Sequence, residues 1–138
     1  MFNVQSPRTD DGAIEAEIIA KGLTAPRITP AALEDNITSE FYFTAAEGVY
    51  GASGHEVSSV RAGTALGLLT FCVLVLRNGF TVTGESACAS PENFDADVGR
   101  KIARANAVQK VWPLMGYELR SKLSDAARKD ACELACEG

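Results

Sequence analysis

A single histidine, His55, occurs in the chain, and its four cysteines, Cys72, Cys88, Cys132 and Cys136, include no Cys-x-x-Cys pair. A structural zinc site needs four His or Cys ligands at short spacings, and general-base catalysis usually needs a rigidly held imidazole, so neither chemistry is well supplied. No metal and no cofactor is expected. Basic residues are also short, 13 Lys and Arg against 18 Asp and Glu for a net charge of -5. Polyphosphate affinity comes mostly from Lys and Arg, so binding to DNA or RNA polymers is excluded, whereas a small anion needing two or three donors is not. Nothing approaches the roughly 20 apolar residues of a membrane helix, and Met1 to Asp10 lacks the charged-then-apolar order of a signal peptide. A soluble protein is expected, with no membrane partner.

At 138 residues, 46% of them hydrophobic, the chain has material for one core. A single domain over 1–138 follows, with residues 1–10 flexible. The segment to Leu23 has weak periodicity (AIEAEIIAKGL) compatible with a short helix or strand. Thr29-Pro30 opens a helix, the hydroxyl capping and proline taking the first position, and Leu33, Ile37 and Phe41 carry it to at least Thr38. SEFYFTAA either extends that helix or begins a strand. The Gly- and Ser-rich stretch 48–63 invites comparison with a phosphate loop. It lacks the Gly-Lys-Ser/Thr ending and a leading strand, and it reads as a flexible insertion.

Thr70 to Leu76 is apolar on both alternating faces, so each face needs a cover, from helices or from a second subunit. Asn78-Gly79 then predicts a two-residue hairpin turn. In the strand that follows, Phe80, Val82 and Gly84 share one face, and Thr81, Thr83 and Glu85 the other. Pro91 ends regular pairing, and Asp95 or Asp97 caps a helix running through VGRKIARANAVQKVW. Val98, Ile102, Ala105 and Trp112 make its apolar stripe, with Val108 on the border. Lys110 falls on a flank with Gly99, Ala103 and Asn106, which either lets another chain approach closely or admits a ligand. Arg100 and Arg104 read as a solvated face. Pro113 ends this helix or starts the next, and the remainder forms one or two helical segments. Ser124 is a candidate cap there, and Leu119, Leu123, Ala127 and Leu134 lie on inner faces. Cys132 and Cys136, four apart on a helix, read as free thiols in small apolar packing.

Catalytic sets are thin. Cys88 with His55 is the one nucleophile–base pair to name, and Glu85, Glu92, Asp95 and Asp97 are explained by capping and turns as readily as by acid–base work or magnesium. Recognition is better served. Asn93 offers two donors and an acceptor, Ser86 and Thr83 hydroxyls, Phe80 a stacking plane, and Arg77 and Lys110 charge. Each has a plainer role: Asn93 and Ser86 in turn backbone, Phe80 in the core, Arg77 at the hairpin mouth.

The run RNGFTVTGESACASPENFDADVGRKIARANAVQKVWPLMGY, with RITPAALEDNITSEFYFTAAEG before it, resembles the gene-49-like and gene-66-like family of short phage and prophage proteins. Relatives in that family include the first class of anti-Thoeris sponges. The resemblance implies binding, without cleavage, of the cyclic ADP-ribose isomer made by bacterial TIR enzymes, in pockets between paired subunits in the host cytoplasm. It also implies hexamers, as trimers of dimers, that take cyclic oligonucleotide signals of CBASS at separate sites. The Pro-x-Asn-Phe element falls on Pro91, Glu92, Asn93 and Phe94, making Asn93 the leading ligand contact, and the basic residue before the Val-Trp pair is Lys110. Ala89-Ser90 stands where the family commonly has Val-Asp, which alters the charge beside the pocket, and stretch 48–63 is longer than in the sponges.

The expectation is an α+β domain, a small antiparallel β-hairpin or sheet packed against helices, assembled at least as a dimer. It sequesters a cyclic nucleotide-type signal and is not an enzyme. Two other classes stay open: a nucleotide hydrolase using Cys88 or the loop carboxylates, and an accessory protein that docks on a host protein through its hairpin.

Overall fold

A computed structural model of the protein describes residues 11–23 and 25–137. In chain order it comprises α1 (Asp11–Ala20), α2 (Pro30–Asn36), β1 (Ile37–Thr44), α3 (Ala45–Ser53), α4 (Val60–Gly67), β2 (Leu69–Leu76), β3 (Thr81–Ala87), a single 3-10 turn (Pro91–Asn93) and α5 (Ala96–Cys136). The strands form one antiparallel sheet in the order β1-β2-β3, and α5 lies across one face of it. The α+β class read from the sequence holds for the described residues. The flexibility expected of residues 1–10 lies outside them.

Thr29 caps α2 as its position suggests, accepting a hydrogen bond from the Ala32 amide at 3.0 Å with Pro30 in the first turn. The helix is shorter than expected. It stops at Asn36, and Ile37 is already extended, so Phe41 belongs to a strand rather than to a third helical turn. Pairing decides this: Phe41, Tyr42 and Phe43 stand opposite Val73, Cys72 and Phe71, and cross-strand contacts on a half-buried sheet outweigh a local fourfold repeat.

The stretch 48–63 is not an insertion without structure, and a strand does lead into it. Thr44 ends β1 and caps α3 by accepting from the Glu47 amide, and Ser59 caps α4 in the same way through the Ala62 amide. Gly54, at φ +74°, closes α3 in the left-handed conformation typical of a helix C-terminus. At Gly48 an added Cβ would lie 3.3 Å from the Phe43 ring, which itself stacks on Phe71 at 5.4 Å. Helix α3 therefore crosses that end of the sheet face remote from α5.

The hairpin after β2 has three loop residues, not two. The Gly79 amide donates to the Leu76 carbonyl at 2.9 Å and the Leu76 amide to the Phe80 carbonyl at 2.8 Å. Only Gly79 takes a positive φ, +89°, while the Asn78 side chain accepts from the Phe80 amide at 2.9 Å. A tight β-turn followed by one left-handed glycine fits a three-residue loop, whereas a two-residue Asn-Gly turn would need positive φ at both.

Along β3, Val82, Gly84 and Ser86 are buried toward α5 and Thr81, Thr83 and Glu85 are exposed, as the alternation indicates. The helix presents a different face from the one its apolar residues mark. Gly99, Ala103, Ala107 and Val111 are buried against the sheet, whereas Val98 remains 40% exposed. The reason is Gly84: a Cβ there would meet the Ala103 carbonyl oxygen at 2.1 Å and the Ala107 nitrogen at 2.3 Å. Backbone lies on backbone, so only small helix residues fit, and of the flank left open to a ligand or another chain the sheet fills Gly99 and Ala103, leaving Asn106 and Lys110 at its edge. The core consists of Leu33, Cys72, Leu74, Leu76, Val82, Ala103, Ala107 and Val111. Each large apolar side chain buried there contributes about 1.5–3 kcal/mol.

Helix α5 runs unbroken for 41 residues, through Pro113, with Asp95 capping it by accepting from the Val98 amide at 3.0 Å. Pro113 removes one intrahelical hydrogen bond. It stands just past Val111, the last residue the sheet buries, where water can serve the freed carbonyl of exposed Gln109. Neither a second helix nor a cap at Ser124 is formed.

Candidate functional site

Strand β3 is an edge of the sheet, and the side of α5 nearest it carries Asn106 and Lys110. The Asn106 amide nitrogen donates to the Glu85 backbone carbonyl at 2.7 Å, tying the helix to this edge. The Glu85 side chain accepts from the Thr83 hydroxyl at 3.3 Å, and the Lys110 ammonium stands 3.9 Å from the same carboxylate oxygen. Thr83, Glu85, Asn106 and Lys110 thus form one polar shelf. At 3.9 Å, with both side chains about half exposed, the Lys110–Glu85 pair is loose, and such surface pairs are worth about 0–1 kcal/mol. An incoming anion competes easily for that ammonium.

The other residues singled out from the sequence lie along the rest of β3 and its two connections. Asn93 ends the 3-10 turn between β3 and α5, exposed, its backbone amide donating to the Ser90 carbonyl at 3.0 Å. Phe80 is 55% exposed in the hairpin just ahead of β3, available as a stacking plane rather than part of the core. Ser86 points the opposite way, buried against α5 and off the surface that Thr83 faces. Arg77 is at the hairpin mouth, its guanidinium donating to the Asp35 carbonyl at 2.8 Å and its amide to the Asn36 carbonyl at 2.9 Å. It lines a separate cleft of about 450 Å³ with Ile28, Asn36, Met115 and Lys122. The structure therefore gathers Thr83 with Lys110 and keeps Ser86 and Arg77 apart from them, and Asn93, ahead of the start of α5, stands about 20 Å along the helix axis from Lys110.

The sequence reading missed two features. Glu85, read as a turn or capping carboxylate, links Thr83 to Lys110; its place opposite Phe71, on the exposed face of an edge strand, was the available signal. Arg104 is not on a solvated face. Its guanidinium donates to both Glu34 oxygens, at 2.7 and 3.2 Å, and to Glu40 at 2.7 Å, joining α5 to α2 and β1. That hydrogen bonding holds the Glu34 carboxyl below its usual range and raises Arg104. Beneath this network Tyr42 is pushed up to about 12, chiefly by burial, and the Cys72 thiol is also raised by burial.

Cys88 is buried, with its thiol donating to the Ser90 carbonyl at 3.1 Å, while His55 is exposed in the connection between α3 and α4. An enclosed thiol donated to a backbone carbonyl is a structural arrangement rather than an activated nucleophile. Cys132 and Cys136 are exposed, not packed. Among the described residues no group of His, Cys, Asp and Glu is placed to hold a metal ion, and no helix is long and apolar enough to cross a membrane.

Comparison with known proteins finds one family: the profile of the Phage protein (N4 Gp49/phage Sf6 gene 66) family matches residues 28–123. No curated protein and no solved structure matches the chain.

Proposed function

Because the chain belongs to the N4 Gp49/phage Sf6 gene 66 family of phage proteins, we propose that it is an anti-defence protein that sequesters a cyclic nucleotide-type immune signal and leaves it intact. The signal is glycocyclic ADP-ribose, or a cyclic oligonucleotide of the CBASS type. The carrying observation is the shelf along β3, where Lys110 is weakly engaged by Glu85 beside the Thr83 hydroxyl. A phosphate draws the lysine off Glu85, and Asn93 and Phe80, at opposite ends of β3, offer amide and ring contacts to a ligand that bridges two protomers. The free edge of β3 calls for a cover, and in this reading a neighbouring protomer provides it, closing the pocket over the ligand in the host cytoplasm. Sequestration uses one pocket per ligand without turnover, so the protein acts in proportion to the signal's abundance.

The test incubates the protein with glycocyclic ADP-ribose or a cyclic oligonucleotide, separates it on a size filter, heats the retained fraction and chromatographs what is released. Intact ligand recovered after heating supports sequestration. Altered nucleotide would assign an enzyme, and an undepleted filtrate would leave docking on a host protein. Asn93→Ala and Lys110→Ala should each weaken retention about tenfold, the loss of one hydrogen bond to a charged group. Unchanged retention in both would reject this placement of the pocket.

A further inference from the structure

Helix α2, the β2–β3 hairpin and the middle of α5 meet around a cleft of about 450 Å³, within the size range of small-molecule sites. Three segments line it. Ile28 and Ala32 come from the approach to α2 and its first turn, Arg77 and Asn78 from the hairpin, and Met115 and Leu119, four residues apart, from one face of α5. Met115 packs partly buried against the core, and Ile28, Ala32 and Leu119 take no part in it. The domain's own packing therefore leaves an apolar lining uncovered. Neither Thr83 nor Lys110 belongs to that lining, so the cleft is separate from the β3 shelf and from what that shelf binds.

The polar lining decides what can enter. Arg77 is held in place by its amide, which donates to the Asn36 carbonyl at 2.9 Å, and by its guanidinium, which donates to the Asp35 carbonyl at 2.8 Å. A carbonyl fixes the group without neutralising it, and among the described residues no carboxylate pairs with this guanidinium. Its charge is open. The other cation of the cleft, Lys122, is already paired, 2.6 Å from Glu118. Two cations, Arg77 and Lys122, against one carboxylate, Glu118, leave the lining at +1 in a chain whose net charge is -5. General attraction of anions is thus absent, and a preference for them has to be local. The two asparagines of the lining add to it. The Asn36 side-chain oxygen accepts from the Arg77 amide at 3.3 Å and that of Asn78 from the Phe80 amide at 2.9 Å, which leaves their NH2 ends, donors only.

We propose that this cleft binds a small amphiphilic carboxylate, a short straight-chain fatty acid or a compound of that shape, with the carboxylate on Arg77 and the chain against Ile28, Ala32, Met115 and Leu119. The planar guanidinium offers a carboxylate two parallel hydrogen bonds, and the flexible thioether of Met115 adapts to the outline of a chain. One open guanidinium balances one negative charge. A phosphate monoester, at about -1.5 to -2, exceeds that and brings the remainder against Glu118. An ammonium on the same chain meets Arg77 and finds the one carboxylate of the lining already held by Lys122.

Calorimetric titration of the full chain with butyrate, hexanoate and octanoate tests the assignment. One ligand should bind per chain, tightening about two- to fourfold with each added methylene until the cleft is filled. Octylammonium should bind about tenfold more weakly than octanoate, or less. Absence of binding, an affinity indifferent to chain length, equal binding of octylammonium, or octanoate held at several sites per chain as an adventitious additive only, would each overturn the proposal. Arg77→Gln should weaken octanoate about tenfold, the loss of a charged hydrogen bond, and leave octanol unchanged. A parallel loss of both ligands would sink the charge assignment, because Arg77 would then only shape the cleft. Ala32→Phe should fill the space and abolish binding of both, and unaltered binding would reject the location. Glu118→Gln frees Lys122 and should tighten octanoate about threefold, within the worth of a surface pair. A variant no tighter than the unaltered chain would count equally against the proposal.

Discussion

Gly84 is the residue on which the packing of α5 turns. A side chain there would drive into the Ala103 carbonyl at 2.1 Å and the Ala107 backbone at 2.3 Å, and none of these atoms belongs to a flexible group that can swing aside. Overpacking of a core ordinarily costs about 1–3 kcal/mol, and a backbone clash of this depth belongs at or beyond the upper end. Gly84→Ala is therefore expected to lose about 3 kcal/mol in urea denaturation. Gly63, inside α4 with nothing within 4 Å of an added Cβ, supplies the contrast. Gly63→Ala should be neutral or gain up to about 1 kcal/mol through helix propensity. Equal stability of the two variants would contradict the close approach of helix and sheet. The same residue explains a misreading of the sequence: a glycine in a strand advertises close approach without naming what approaches, and the small residues that answer it lie on the helix flank that hydrophobicity does not mark.

Arg104 works between elements, holding α5 against α2 through Glu34 and against β1 through Glu40. Hydrogen bonding to Arg104 depresses the Glu34 carboxyl in the folded protein. A depressed carboxylate contributes stability that is fully present above its unfolded value, near 4.3, and is lost as pH falls through the lower folded value. Glu34 is half exposed, so solvent screening limits the effect to about 1 kcal/mol. Arg104→Met should flatten the fall of stability below about pH 4.5, measured by denaturant midpoints across that range. The Glu15 carboxyl, lowered by Arg27, keeps part of the slope in place. A profile parallel to that of the unaltered protein would show that the triad carries no acid sensitivity. Nothing local in the sequence announces this triad, because Glu34, Glu40 and Arg104 come from three separate segments. What was legible is local or periodic: the Thr29-Pro30 cap, the turn glycine at 79, the two-faced apolarity of β2 and the alternation of β3. The start of β1 was not, since α2 passes into it at Ile37 with no glycine or proline between them and only pairing to β2 separates strand from helix. At the candidate site Thr83 and Lys110 were legible as donors, whereas Glu85 between them required the strand edge to be seen.

Across the whole molecule, stability is concentrated at one end of α5. From Gly99 to Val111 the helix seals the core, Trp112 and Met115 pack partly buried against it, and from Asp125 onward every described residue is exposed. Local opening free energy follows buried contact, so hydrogen exchange should divide this continuous helix into two regimes. Amides of Ala103 and Ala107 should open only with the entire domain. Those of residues 125–136 should exchange within the dead time, because a helical segment without tertiary packing is marginal in water. Protection along 125–136 as high as at Ala103 would contradict this division of the helix.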